Sequence, residues 1–179
     1  PIAVELIDNT MISLARSIPI FSKTIKDFVK GNPDAILVVE FAEDEWKANF
    51  KKLNNLQDLL KGSEKNKHDN IVILEDTHSQ NRISEMRKSG LNIMMSMKSD
   101  AKPVSFVEDC AVPLTSLADY TQGLNDIFEK YETSGTWYAH ASVGCLHVRP
   151  ILNMKSNNDV IKMRAIAEEA FELVKKFDG

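Results

Sequence analysis

The stretch YAHASVGCLHVRP (138–150) concentrates side chains that can do chemistry. It holds two of the four histidines, His140 and His147, together with Cys145 and Arg149. Two neutral imidazoles and a carboxylate make an ordinary site for a divalent metal with positions left open for a substrate. An arginine beside such a site can clamp a carboxylate in a bidentate manner. The stretch therefore indicates a metal site, provided that the two histidines converge.

The spacing of the histidines allows one site only if the chain bends between them. Seven residues of continuous strand would place them on opposite faces and about 23 Å apart, and one helix would place them roughly 10 Å apart along its axis. A bend near Gly144 would bring Tyr138 and His140 to the same surface as His147 and Arg149, with Leu146 and Val148 behind them. The alternative is a pair of surface or hydrogen-bonded histidines on a strand edge.

Hydrophobic patterning predicts the elements that must position this stretch. We predict strands at 33–42, 69–76, 104–112 and 136–152, and helices at 43–62, 77–87, 114–131 and 158–177, after helical or irregular segments in 1–30. A doubly wound parallel sheet and a ferredoxin-like sandwich both fit this order. No glycine-rich phosphate loop follows a predicted strand, which disfavours the nucleotide-binding parallel sheet. The fold expected is α+β and ferredoxin-like, an antiparallel sheet with helices packed on one face.

Composition narrows the functional class. The net charge is −4 and basic residues do not cluster, so nucleic-acid binding is set aside. Two cysteines without metal or redox spacing indicate reduced thiols in the cytoplasm. No apolar run is long enough to span a membrane, and no signal peptide opens the chain. His68 and His78 are expected to face solvent, and Glu108 and Asp109 to be structural carboxylates at a strand end.

Two segments, KPVSFVEDCAVPLTSL and WYAHASVGCLHVRP, resemble the C-terminal domain of FAD-linked oxidases, which include D-lactate, glycolate and D-2-hydroxyglutarate dehydrogenases. The second segment resembles the family's G-H-x-G-D-G-N-x-H motif, with His140, Gly144 and His147 in register. The variant is closest to bacterial fusions of this flavoprotein with an iron–sulfur module. The resemblance implies that 1–179 is a single domain, the substrate-binding cap of a larger FAD-dependent D-2-hydroxyacid dehydrogenase.

The resemblance also implies roles for individual residues. His140 and His147 would bind a divalent metal such as zinc or manganese, and Arg87 and Arg149 would bind the D-2-hydroxy acid. The family's third ligand, a glutamate, and its base histidine would lie beyond Gly179, so the isolated chain is expected to be inactive and to hold no catalytic residue. Cys145 stands where the family has asparagine.

The resemblance implies cofactors and partners as well. The FAD-binding domain of the same polypeptide would hold the flavin, and the full-length protein would carry a [4Fe–4S] cluster. Peripheral association with the inner membrane through an electron acceptor, and a homodimer formed through an uncovered apolar face, are further expectations. The alternative function is a non-catalytic ferredoxin-like module that binds a metal or small ligand.

Overall fold

The computed structural model describes residues 1–61 and 70–179 of the chain. Within these residues, six strands lie at Ala3–Asp8 (β1), Ala35–Glu40 (β2), Lys102–Pro103 (β3), Val107–Ala111 (β4), Gly135–His140 (β5) and Cys145–Leu152 (β6). The same residues form seven α-helices, at Asn9–Ser17 (α1), Pro19–Phe28 (α2), Trp46–Lys61 (α3), Thr77–Lys88 (α4), Gly90–Met95 (α5), Leu117–Lys130 (α6) and Asn157–Lys176 (α7).

All six strands form one open antiparallel sheet. Its order is β2-β1-β5-β6-β3, and β4 also pairs with β6. The pairs β2·β1, β1·β5, β5·β6, β3·β6 and β4·β6 are each antiparallel. The predicted α+β class with an antiparallel sheet is confirmed.

Helices α6 and α7 cover one face of this sheet. Their buried side chains, among them Tyr120, Leu124 and Ile166, pack with Leu146 and Val148 of β6. A second layer covers the opposite face at the β1–β2 end, because neighbouring strand residues point to opposite sides. There α1, α2, α4 and α5 pack around Ile7 of β1.

The opposite face at the β5–β6 end carries the histidines. Tyr138 of β5 marks the border, since it packs against the cluster beneath α1 and α4. Beyond Tyr138 the strands present polar side chains that remain partly exposed. The predicted stretch 138–150 therefore lies beside a helical layer and is only half covered by it.

The structure differs from the predicted elements at three places. Residues 3–8 form the strand β1, which the helical spacing of VELIDNTMISLAR concealed. Residues 70–76 are not a strand: Leu74 packs into the core, its carbonyl accepts from Gln80, and Asp76 caps α4. The predicted strand at 104–112 is shortened to Val107–Ala111, and the predicted strand region at 136–152 is divided into the two strands of a hairpin. His68 and most of the loop 62–70 lie outside the described residues.

Asp8 joins β1, α1 and β5. Its Oδ1 accepts from the backbone N–H of Met11 at 2.8 Å, which caps α1, and its Oδ2 accepts from the N–H of Trp137 at 2.9 Å. Burial raises the pKa of Asp8 above 3.8, although these hydrogen bonds act in the other direction. A buried carboxylate that accepts from two elements fixes the start of α1 against the strand that leads to His140.

We expect Asp8→Ala to lower the free energy of unfolding by about 2 kcal/mol. The substitution removes a helix cap and leaves a partly buried N–H without its acceptor, and loss of the buried charge offsets part of this cost. Urea denaturation followed by circular dichroism measures the change. Asp58→Ala is the matched control: Asp58 forms an exposed pair with Lys61, and we expect less than about 0.5 kcal/mol there. Equal losses for both variants would contradict the role given to Asp8.

Candidate functional site

The bend predicted near Gly144 is a β-hairpin. Strands β5 and β6 are joined by a 3₁₀ turn at Ala141–Val143, followed by Gly144 with a φ of 71°. The register pairs His140 with Cys145 and Tyr138 with His147. Directly opposed residues of an antiparallel pair share a face, so the hairpin brings the two histidines to one surface.

Gly144 is required by its conformation and by its surroundings. A Cβ at this position would lie 2.1 Å from the carbonyl oxygen of Val112. The carbonyl of Gly144 accepts a hydrogen bond from the N–H of Val112 at 3.1 Å. The close approach docks the tip of the hairpin onto the residue that follows β4. Only glycine combines a left-handed φ with this contact.

We expect Gly144→Ala to destabilise the fold by about 3 kcal/mol, because the added methyl meets backbone as well as an unfavourable φ. Gly31→Ala is the control, since Gly31 has a φ of 65° but nothing within 4 Å of an added Cβ. For the control we expect about 1 kcal/mol. The difference between the losses of unfolding free energy in the two variants measures the hairpin contact. Equal losses would show that the hairpin tip is not docked on Val112.

The two imidazole rings lie against each other. Their centroids are 5.1 Å apart with an angle of 86° between the planes. The ring of Tyr138 contacts both, at 5.6 Å from His140 and 5.7 Å from His147. Leu146 and Val148 are buried on the other face, as the alternation predicts.

Glu5 holds His140 from the neighbouring strand. The register places Glu5 opposite His140, and both carboxylate oxygens lie 2.8–3.0 Å from its Nδ1. Because a carboxylate only accepts, Nδ1 carries the proton and donates, which leaves the lone pair of the neutral ring on Nε2. Glu5 is buried, whereas the His140 side chain is 41% exposed.

Glu108 holds His147 in the same manner. Its Oε2 accepts from His147 Nδ1 at 2.8 Å, and its Oε1 accepts from Arg149 Nε at 2.5 Å and from the Ser105 hydroxyl at 2.8 Å. Partial burial raises the pKa of Glu108, but the hydrogen bonds and the positive charge of Arg149 outweigh it and keep the pKa below 4.5. Each histidine thus has its own carboxylate.

An irregularity in β4 aims two carboxylates at His147. The register between β4 and β6 shifts between Val107 and Cys110, and Asp109 has a φ of 58°. A bulge of this kind cancels the alternation of sides. Asp109 Oδ1 therefore lies 3.3 Å from His147 Nδ1, on the side that Glu108 also faces. Sequence patterning predicted only structural carboxylates here.

Arg87 connects α4 to the site. Its guanidinium contacts Glu5 at 3.0 Å and Glu40 at 3.3 Å, and it donates to the hydroxyl of Tyr138 at 3.1 Å. Arg149 lies across the hairpin, with an Nη1 that is buried and has no hydrogen-bond partner among residues 1–61 and 70–179. The structure thus brings all four predicted residues, Arg87, His140, His147 and Arg149, to one face.

Cys145 adds a sulfur to this surface. The ligand atoms of Asp109, Cys145 and His147 lie within 4.8 Å of one another. Burial, and then the negative charge of Asp109, raise the pKa of the Cys145 thiol above 9.0. Cys110, by contrast, packs with the core on the α6–α7 side.

Comparison with known proteins assigns the chain to a family. Residues 1–179 match the family described as "FAD linked oxidases, C-terminal domain". The chain belongs to this family.

The relatives of this FAD-linked oxidase domain are longer proteins. It is 29% identical to a D-2-hydroxyglutarate dehydrogenase of Haemophilus influenzae over 99% of the chain, and 28% identical to a protein of the same name from Escherichia coli. A glycolate oxidase subunit of Bacillus subtilis is 27% identical over 54% of the chain. The chain spans only about a fifth (18%) of the length of the two dehydrogenases.

The histidines of the FAD-linked oxidase domain fit a metal ion. Ligand histidines in metalloproteins have their second ring nitrogen bound by a carboxylate or carbonyl, which is how Glu5 and Glu108 bind His140 and His147. In the described part of the chain, no glycine-rich loop follows a strand. Within that part, no helix is long and apolar enough to cross a membrane.

Sequence reasoning overlooked Glu5 and gave Asp109 only a structural role at a strand end. Glu5 is an acidic residue within an apolar strand, V-E-L-I, and that position was the available signal. Its partner His140 lies 135 residues away, so only the register of β1 against β5 reveals the pair. Asp109 gives no comparable signal, since its direction depends on the irregularity in β4.

Proposed function

We propose that this chain is the substrate-binding cap domain of an FAD-dependent D-2-hydroxyacid dehydrogenase and holds a divalent metal through His140 and His147. One observation carries the proposal: two histidines on one face, each with Nδ1 bound to a separate carboxylate and Nε2 left as the available donor. Family membership and the names of the relatives supply the reaction class.

In the proposed site the chain's residues bind and orient. Glu5 and Glu108 fix the tautomer and ring direction of His140 and His147, and raise the basicity of the Nε2 atoms. A divalent metal such as zinc or manganese, once bound, would supply a Lewis acid that favours loss of the proton from a 2-hydroxyl group. FAD, bound by another part of the polypeptide, would accept the hydride from C2.

Arg149 is our first candidate for a substrate carboxylate. Glu108 occupies its Nε, whereas its Nη1 has no protein partner in the part of the chain that the structure describes. A partly buried guanidinium with an unpaired Nη1 suits a planar anion. A second carboxylate on the substrate, as in D-2-hydroxyglutarate, is the natural occupant.

Arg87 is our second candidate, and its contacts define how it would act. It is already bound to Glu5, Tyr138 and Glu40. The Glu40 contact is the longer of its two ion pairs, and the Glu40 side chain is 45% exposed. A substrate carboxylate would displace Glu40 and leave Arg87 attached to the two residues that adjoin His140.

The exposure of the histidine face supports a covering domain. His140 is partly open, and Val143 at the hairpin tip is 66% exposed. Electrostatic catalysis needs a site from which water is excluded. We therefore propose that the FAD-binding domain of the same polypeptide covers this face and encloses the substrate. Without that covering domain, the Val143 tip would leave apolar surface exposed, and the chain could form a homodimer through this surface.

The experiment is anaerobic reduction of the flavin in the full-length protein by an added 2-hydroxy acid. Bleaching of the flavin absorbance measures the reduction. We expect D-2-hydroxyglutarate to reduce the flavin and the L enantiomer to leave it oxidised, with D-lactate as the one-carboxylate comparison. Reduction by no 2-hydroxy acid would overturn the dehydrogenase proposal and favour the non-catalytic metal-binding module. Iron and sulfide analysis of the same preparation tests the proposed [4Fe–4S] cluster, and cell fractionation tests a cytoplasmic or membrane-peripheral location.

A further inference from the structure

We infer that Tyr138 is a further substrate-binding residue, whose hydroxyl donates a hydrogen bond to the carboxylate that Arg87 binds. The inference rests on the proposed function, which places a D-2-hydroxy acid on this face. The ring of Tyr138 contacts His140, so this carboxylate is the one next to the reacting C2 atom. Every 2-hydroxy acid has that carboxylate, whereas the contact proposed for Arg149 requires a second one.

The hydroxyl of Tyr138 is held by a cation and keeps its own proton available. Arg87 donates to the hydroxyl oxygen through Nη2 at 3.1 Å and through Nε at 3.3 Å. A phenolic hydroxyl both accepts and donates, and within residues 1–61 and 70–179 this hydroxyl donates to no acceptor. The positive charge polarises the O–H bond and makes it a stronger donor. A polarised donor bound to a guanidinium suits an anion.

The ring of Tyr138 is fixed on three sides. It stacks on His147, with 28° between the planes, and meets the ring of His140 edge to face at 79°. Its remaining contact is with the core cluster beneath α1 and α4. The position of the hydroxyl is therefore set before a substrate binds, and little side-chain freedom is lost on binding.

Most donors of Arg87 are already committed, so a carboxylate bound there needs a second partner. Nη2 contacts Glu5 at 3.0 Å and Nη1 contacts Glu40 at 3.3 Å, while Nε and Nη2 donate to Tyr138. Displacement of Glu40, whose side chain is 45% exposed, frees Nη1 for one carboxylate oxygen. The hydroxyl of Tyr138, bound to the same guanidinium, supplies a donor for the other oxygen.

Tyr138→Phe tests the inference, because it removes the hydroxyl and keeps the ring with its packing. Stopped-flow reduction of the flavin in the full-length protein, at increasing concentrations of the hydroxy acid, gives a half-saturating concentration and a limiting rate. We expect the half-saturating concentration to rise about 10- to 100-fold, as for a lost hydrogen bond to a charged group. The limiting rate should stay within about threefold of wild type, because the lost contact is present before and during the reaction.

Two comparisons sharpen this measurement. The increase should be similar for D-2-hydroxyglutarate and D-lactate, since both have the carboxylate next to C2. Tyr131→Phe is the matched control: its hydroxyl donates to Glu169 of α7, on the other side of the sheet, and its loss should leave the half-saturating concentration within about twofold. Circular dichroism and flavin content show that each variant is folded and loaded.

Arg87→Lys adds a test of how the hydroxyl is held. Lysine keeps the positive charge but cannot reproduce the two donors that Arg87 directs at the Tyr138 oxygen. If Arg87 orients and polarises the hydroxyl, the two substitutions are not independent. Removal of the hydroxyl in the Arg87→Lys background should then raise the half-saturating concentration by no more than about threefold.

The outcomes separate this inference from the proposed function. A flavin that no 2-hydroxy acid reduces in the wild-type protein would overturn the proposed function and this inference with it. Reduction of the wild-type flavin, with a half-saturating concentration for Tyr138→Phe within twofold of wild type, would overturn the inference alone. A lower melting temperature as the sole effect, or a lower limiting rate at an unchanged half-saturating concentration, would make Tyr138 a structural neighbour of the histidines.

Discussion

Replacement of His140 and His147 together by alanine should lower kcat/KM for the D-2-hydroxy acid by about 10³-fold or more in the full-length protein. Loss of a Lewis acid at the substrate hydroxyl removes several kcal/mol of transition-state stabilisation. Flavin binding should be unchanged, because the flavin is proposed to be bound by another part of the polypeptide. Stopped-flow reduction of the flavin measures the effect on the chemical step directly.

His78→Ala is the control for this prediction. His78 is exposed in the first turn of α4, so its loss should change the reduction rate less than twofold. The prediction fails if the double variant, with its flavin bound, reduces that flavin at a rate within tenfold of wild type. Such a result would return the histidines to a structural role on the sheet.

Arg149→Ala should lower kcat/KM about 100-fold for a substrate with two carboxylates and much less for D-lactate. The expected loss corresponds to one charge-assisted, bidentate contact. The substitution also leaves Glu108 without its guanidinium partner, so a fall in thermal stability accompanies it. Comparison of the two substrates in the same variant cancels that shared effect.

Arg149→Lys refines the test, since it retains a positive charge near Glu108 but not the planar pair of donors. Compared with Arg149→Ala, we expect Arg149→Lys to recover more of the thermal stability than of the selectivity for a substrate with two carboxylates. Equal losses for D-2-hydroxyglutarate and D-lactate in Arg149→Ala would contradict a contact with the second carboxylate. Arg149 would then act through Glu108 and His147, as a positioning residue.

The local parts of the fold could be predicted from the sequence because their signals are local. Helices α6 and α7 follow strong apolar periodicity. The bend near Gly144 was predicted as the condition for a shared site, because a straight strand or a helix would keep the two histidines too far apart. The strand β1 was hidden because its apolar residues continue the helical spacing of α1. The apolar run at 70–76 has the composition of a strand, but it leads into the cap of α4 and lies outside the sheet.

The site could be predicted only in part for the same reason. Both histidines and Arg149 lie in one short stretch, so their common face follows from alternation about a bend. Glu5 and Glu108 reach them from other strands, 135 and 39 residues away in sequence. The direction of the Asp109 side chain depends on the left-handed φ of Asp109 itself, which no sequence pattern predicts.

Metal content tests the central claim most directly. The full-length protein, purified without chelators and measured by inductively coupled plasma mass spectrometry, should hold one divalent ion such as zinc or manganese per chain at this site. The His140→Ala, His147→Ala variant should hold none there while it retains its FAD. A flavin-loaded double variant with the same content of divalent metal as wild type would contradict the account, because the ion would then be bound elsewhere.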